Sequence, residues 1–302
     1  MNAMPAKSPL CAIAIALRLA LERWLETGLV LGLTLLLAVS AGCGRKSAGP
    51  VDVPAGIETA QWNRLVRTYV DEKGLVDYAK WKASAPDRQA LRTFLAQYAP
   101  AAPPASGTEK RASLVNAYNA FTIAWILDHY PTESIQSLPD SFGGARHRVS
   151  GRDVSLDDIE HATLRPEVGF LTHAAVSCAS RSCPPLAREA FRSDRFMDQA
   201  TIAMQRWLLR DDLNHFDLAA HSARISKIFD WYEEDFEKER GGLRGVLSLY
   251  APDPYRNFVV DPKDSKIGYL PYDWGLNDQG PHGRSYGGAG AFWDRVRAKI
   301  RR

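Results

Sequence analysis

The chain holds little sulfur and almost no charge imbalance. Four cysteines, Cys11, Cys43, Cys178 and Cys183, stand among 302 residues. That is too few for a disulfide-stapled miniature fold. It is also too few for a four-cysteine zinc site, because two of them fall in a leader-like segment. The formal charge is +3, from 38 basic and 35 acidic side chains. No long block of like charge occurs, so the footprint of a nucleic-acid binder is absent and no such partner is expected. No P-loop, dinucleotide fingerprint, H-E-x-x-H or G-x-S-x-G turn is present. No cofactor is therefore expected. The composition that remains, 45% hydrophobic and 24% charged, excludes disorder, collagen and coiled coil for the chain as a whole.

The most apolar run extends from Gly28 to Val39. It is shorter than the roughly 20 residues that cross a bilayer. Small residues follow, Ser40-Ala41-Gly42, and then Cys43. This is the shape of a secretory h-region with its cleavage site. The cysteine directly after Ala-Gly resembles a bacterial lipobox, with Ser40 where Leu is usual. The resemblance implies lipid attachment at Cys43 and a membrane partner through that anchor, since several acyl chains hold a soluble domain firmly. Gly44 rather than Asp follows, which by the same resemblance favours the periplasmic face of the outer membrane. An inner-membrane anchor, or an ordinary signal peptide without lipid, is the other reading.

Four regions are expected. Residues 1–42 form the leader, 43–58 a flexible tether rich in Gly, Pro, Ala and Ser, 59–279 one globular domain, and 280–302 a Gly-rich, basic tail. Apolar recurrence at three and four residues predicts helices over Gln61–Val70 and Asp87–Tyr98. Ser113–His129 is apolar almost all round and is stopped by Pro131, so it reads as a buried helix. Ser155–Arg165, Asp194–Leu209 and Phe229–Glu239 are predicted helices too, the first opening on a Ser155/Asp158 capping box. Phe170–Ser177, Ala223–Ile228 and Ile267–Tyr272 read as strands. The fold class is α+β, a predominantly helical single domain with a small β-sheet.

Potential chemistry gathers in Thr172–Leu186, THAAVSCASRSCPPL. A predicted strand carrying His173 leads into a turn with Cys178 and Cys183, and Pro184-Pro185 blocks regular structure beyond it. Glu160 falls on the apolar face of its helix, where a charge needs a partner. An Arg or Lys, Lys227 for example, would supply an ion pair. His161 lies next to it. Asn116 and Asn119 face the same way from the long buried helix, and buried amides need partners. His129, His147, His215, His221 and His282 stand in polar or loop-like contexts and read as surface residues.

The runs VNAYNAFTI, LDDIEHATLR, HAAVSCASRSCPPL, ISKIFDWYEEDF and YLPYDWGLN together resemble the domain-of-unknown-function 547 family, over most of residues 60–277. That resemblance implies no established activity. It draws attention to Asn116, Tyr118, Asn119, Glu160, His161, His173, Cys178, Ser180, Cys183, Pro184, Lys227, Trp231, Tyr232, Asp235 and Trp274. Ala174 departs from the pattern, where an aromatic residue is expected.

Several readings of the cysteine pair stand open. Cys178–Cys183 is a structural disulfide of an exported protein. Alternatively, Cys178 is a thiolate nucleophile served by His173 or His161, with Glu160 or an Asn as the orienting group. A zinc site with both histidines is a third reading, and a pair of buried core thiols a fourth. Two function classes follow. One is a cysteine-dependent hydrolase or acyl transferase acting on an envelope peptide or amide. The other is a non-enzymatic envelope binding or scaffold module.

Overall fold

A computed structural model describes residues 49–280, apart from 258 and 260–264. The expected leader, its Cys43 and the tail beyond Gly280 lie outside the described residues. No described helix is long and apolar enough to cross a membrane.

Chain order begins with α1 (Ala60–Tyr69), α2 (Tyr78–Ala83) and α3 (Ala85–Ala96). Ser84 caps α3 by accepting the Asp87 N–H, and Pro86 stands in its first turn, where a missing N–H costs nothing. Helix α4 (Gly107–His129) is the axis of the domain, with every residue from Ala112 to Ile123 buried. A 23-residue helix is about 35 Å long, so one element reaches most others. It ends where Tyr130 turns extended, as the residue before a proline must. The Trp62 ring of α1 packs 6.5 Å from Trp81 of α2 and 5.8 Å from Phe94 of α3.

Next come a short hairpin, β1 (His147–Val149) with β2 (Arg152–Val154), and α5 (Leu156–Ile159). The Ser155/Asp158 capping box is present, with both reciprocal hydrogen bonds formed. The chain then widens into a π-helical turn, Glu160–Leu164, before α6 (Arg165–Val168). Pro166 accounts for the widening. It has no N–H for the carbonyl four residues back, and its ring would collide with that carbonyl in a regular helix.

Phe170–Ser177 is not a strand. It forms a short 3₁₀ turn, Gly169–Leu171, and then α7 (Thr172–Ala175); only Val176 onward is extended. The segment is buried on all sides, and a short apolar run buried all round carries no periodicity to separate strand from helix. Helix α8 (Phe196–Leu208) follows, then β3 (His215–Asp217), β4 (Ser222–Ile225), α9 (Ile228–Trp231), α10 (Glu233–Glu237), α11 (Gly242–Tyr250) and β5 (Lys266–Tyr269). Strand β4 pairs antiparallel with β3 and parallel with β5. Helices dominate and the sheets are small, so the fold is α+β and predominantly helical.

The globular unit begins before Thr59. Val51 and Val53 are fully buried. The Val51 N–H donates to Thr163 Oγ1, and Ala55 and Ala105 form a bridge-like pair of bonds across to Pro103 and Val53. The expected tether is docked from Val51 onward because its valines fill the core. His147 is also not a surface residue. It is 7% exposed and stacks on Phe121 at 4.3 Å.

The last described segment threads the domain together. Asn277 bonds both Val76 and Ala179 through its backbone, and Leu276 bonds the Glu133 carbonyl. Gly74 has φ +77, and a Cβ there would sit 2.5 Å from the Pro185 Cα. Only glycine allows that approach, which seats Pro184-Pro185 against the 71–76 turn.

Candidate functional site

The segment from Thr172 to Cys183 carries His173 at one end and the cysteine pair at the other. Helix α4 holds it in place. Asn119 donates from Nδ2 to the Ala175 carbonyl and accepts the Ser177 N–H at Oδ1, at 3.0 and 2.8 Å. Asn116, one turn earlier, clamps both backbone groups of Phe191 in the same way, at 2.8 and 2.9 Å. Each amide replaces a missing strand partner for a buried stretch of backbone. Both therefore position buried backbone of the fold.

At the histidine end, α7 turns His173 inward to 3% exposure. Its Nε2 donates to Asp235 Oδ2 at 2.9 Å, and its ring stacks on Tyr232 at 4.2 Å. Asp235 also accepts from Arg165 Nε at 2.6 Å and Lys238 Nζ at 3.0 Å. Burial works to raise the Asp235 carboxyl, but the bonds from His173, Arg165 and Lys238 outweigh it and hold it well below the usual carboxylate range. Burial pushes the His173 imidazole below its ordinary value, against the pull of Asp235 and Glu160. The imidazole is neutral at neutral pH.

The π turn places Glu160 and His161 beside this pair. Glu160 is 8% exposed. It accepts the Tyr118 hydroxyl, whose pKa is pushed well above its ordinary value by burial first and the Glu160 charge second. The expected partner Lys227 is not used. It pairs with Asp230 at 2.9 Å and lies over the Tyr269 ring, because the π turn directs Glu160 toward α4. His161 is half-buried, with Nδ1 at 3.4 Å from an Arg165 nitrogen and Nε2 at 3.7 Å from Asp157. Both histidines, Glu160, Asp235 and Arg165 thus form one polar cluster around Tyr232.

At the other end, Cys178 and Cys183 are joined as a disulfide, with Cα atoms 6.2 Å apart. No group of three or more metal-ligating side chains exists among the described residues. The sulfurs sit among hydroxyls. Cys178 Sγ is 3.1 Å from Ser180 Oγ and 3.2 Å from Tyr272 Oη. Tyr272 Oη also reaches Cys183 Sγ at 3.4 Å, and the Cys178 N–H donates to that sulfur at 2.9 Å. Ser180 and Tyr272 bond each other at 2.6 Å. Neither sulfur has a histidine among these partners.

The loop's backbone is anchored on the C-terminal segment. Arg181 and Ser182 donate to Gly275 and Asp273, and Asp273 donates back to Ser182 Oγ. Ala179 between the cysteines has φ +61, a left-handed conformation costing about 1 kcal/mol for alanine. Trp231 and Trp274 pack on Tyr272 at 4.7 and 4.6 Å and fix its ring. Cys178 is half-buried, whereas Cys183 is 6% exposed.

Residues 104–208 match the family described as Protein of unknown function, DUF547. Neither the curated proteins nor the solved structures contain a match. The DUF547 segment carries both asparagines, Tyr118, Glu160, His161, Arg165, His173 and both cysteines. Asp235 and Tyr272, which complete the two ends, lie beyond it. Sequence reasoning passed over Tyr272 and Arg165. Tyr272 stands inside the run YLPYDWGLN and Arg165 closes LDDIEHATLR, so position in the motifs was the available signal.

Proposed function

We propose that this chain is an exported, lipid-anchored envelope protein whose working centre is the Cys178–Cys183 pair, acting by thiol–disulfide exchange. One observation carries the reading: the Cys178 N–H and the linked Ser180–Tyr272 hydroxyl pair, which has one proton to spare, converge on two bonded sulfurs. Disulfide sulfur is a weak acceptor, so these donors contribute little to the oxidised form. They contribute far more to a thiolate, the species that reactive cysteines need stabilised.

A partner thiolate attacks the more exposed Cys178 sulfur and the S–S bond breaks. Cys183 leaves as a thiolate, received by the Cys178 N–H and the Tyr272 hydroxyl. A second partner thiol, as its thiolate, attacks the mixed disulfide and releases Cys178. The partner dithiol loses two electrons and two protons and becomes a disulfide, while the pair becomes a dithiol. Better leaving-group stabilisation makes such a step faster. The hydrolase or acyl-transferase reading needs a thiol beside a histidine base. The sulfur partners here are hydroxyls, and His173 is already committed to Asp235. The scaffold reading keeps the disulfide as a staple, which the hydrogen-bonded loop backbone favours.

The test uses the folded, oxidised protein and a reduced two-cysteine peptide. Native-state exchange is expected, with peptide oxidised in stoichiometric amount, and Cys183→Ser is expected to accumulate a mixed disulfide at Cys178 with the oxidised peptide. A pair that reacts only after unfolding identifies a staple and overturns the reading.

A further inference from the structure

A cleft of about 380 Å³ lies away from the cysteine pair, between α1 and the 189–195 segment. Its volume is in the range of small-ligand sites. One wall carries Glu58, Asn63 and Arg67; the other carries Glu189, Arg192 and Arg195.

The second wall is held rigidly. Asn63 accepts the Ala190 N–H at 3.0 Å, and Asn116 takes both polar groups of Phe191. Gln199 accepts the Arg192 N–H and donates to the Ala190 carbonyl, at 2.8 and 2.9 Å. Arg195 takes the Arg192 carbonyl. The backbone of 190–192 is therefore saturated and offers a ligand nothing, so recognition falls to charged side chains.

Those charges are unevenly spent. Arg192 is paired to Asp194 at 2.8 Å, and Arg195 lies 3.9 Å from Glu189. The Arg67 guanidinium and the Glu58 carboxylate have no hydrogen-bond or ion-pair partner among the described residues. Glu58 precedes the N-cap of α1 and Arg67 stands in its last turn, and the helix rises about 10 Å from Ala60 to Arg67. The cleft thus offers an unspent anion at one end and an unspent cation at the other. A guanidinium fork matches a carboxylate, and a carboxylate matches an ammonium.

We infer that this cleft binds a short peptide with both termini free, its carboxylate on Arg67 and its ammonium on Glu58. Three or four extended residues, at about 3.4 Å each, span the separation. The site is independent of the exchange chemistry, and Asn116 serves it by fixing the wall.

Calorimetric titration of the full chain with tri-alanine tests this. A Kd of about 1 mM or tighter is expected. Arg67→Ala and Glu58→Gln, both exposed and remote from the core, are each expected to weaken binding about fivefold. N-acetylation and C-terminal amidation of the peptide are expected to do the same. The double variant Cys178→Ser, Cys183→Ser is expected to bind normally, which separates this site from the proposed exchange centre. Absence of binding at about 10 mM tri-alanine overturns the inference. So does unchanged affinity in either variant, or equal binding of the capped peptides.

Discussion

The two ends of one short segment differ in how their polar groups are matched. At the His173 end, the polar groups are matched: Asp235 receives Arg165, Lys238 and the N–H of the neutral His173, and Arg165 also holds Glu234. At the cysteine end, good donors meet a poor acceptor. A buried cluster of mutually paired groups resists the loss of any member, because removing one strands another. A set of donors aimed at a group that hardly uses them is what the proposed exchange reading requires. The density of Cys, His, Glu and Asn in residues 160–183 looks like one site in sequence. In space it is two, with opposite logic.

The largest expected effect breaks the histidine end. Asp235→Ala strands the buried His173 N–H, leaves Arg165 with Glu234 alone, and is expected to cost about 3 kcal/mol in urea unfolding. The reactivity of the cysteine pair in whatever remains folded should be unaltered. If stability changes by less than about 1 kcal/mol, the cluster is not structural and a functional role for His173 returns.

Acid is expected to act on the same side. His147 is buried, and its imidazole is pushed down to about 3, by burial first and Arg146 second; His173 is lowered too. Depressed values mean that the unfolded chain takes up protons before the folded one does. The resulting stability is complete above about pH 6.5 and is lost as pH falls through the folded values. The Asp235 carboxyl, also held low, works in the same direction. His147→Phe keeps the ring stack on Phe121 and removes one titration. A shallower decline in stability between pH 6 and about pH 4 is expected, measured by denaturant midpoints across pH. An unchanged slope shows that His147 does not resist protonation.

A smaller effect separates the clamp from what it clamps. Asn119→Ala leaves the Ser177 N–H and the Ala175 carbonyl unpaired and is expected to cost about 1–3 kcal/mol. It should also raise amide exchange over residues 175–178. Exchange confined to 190–192 would assign that role to Asn116 instead.

The helical frame was legible because α1, α3 and α4 are long and strongly patterned, and Ser155 with Asp158 announces a cap. The run Phe170–Ser177 was misread because burial on every face erases the period. The tether was misread from composition, since Val51 and Val53 are only two side chains in a Gly- and Pro-rich stretch. At the candidate site, the disulfide partners were legible as one open alternative, and the two asparagines as a hydrogen-bond network. What the sequence concealed was direction. The π turn forced by Pro166 sends Glu160 to Tyr118 instead of Lys227. Tyr272 comes to the sulfurs only through the pairing of 180–182 with 273–276, which is long-range.

The smallest expected change in stability belongs to Tyr272→Phe, and it tests the central claim most directly. The variant keeps the ring between Trp231 and Trp274 and removes one hydroxyl. The rate of alkylation of the reduced protein against pH reports thiolate formation at the cysteine pair. The account predicts a midpoint below the ordinary thiol value of about 8.5 for the wild-type chain, and a move upward toward it in Tyr272→Phe. A midpoint at or above about 8.5 in both proteins would contradict it, and would leave the pair as a staple.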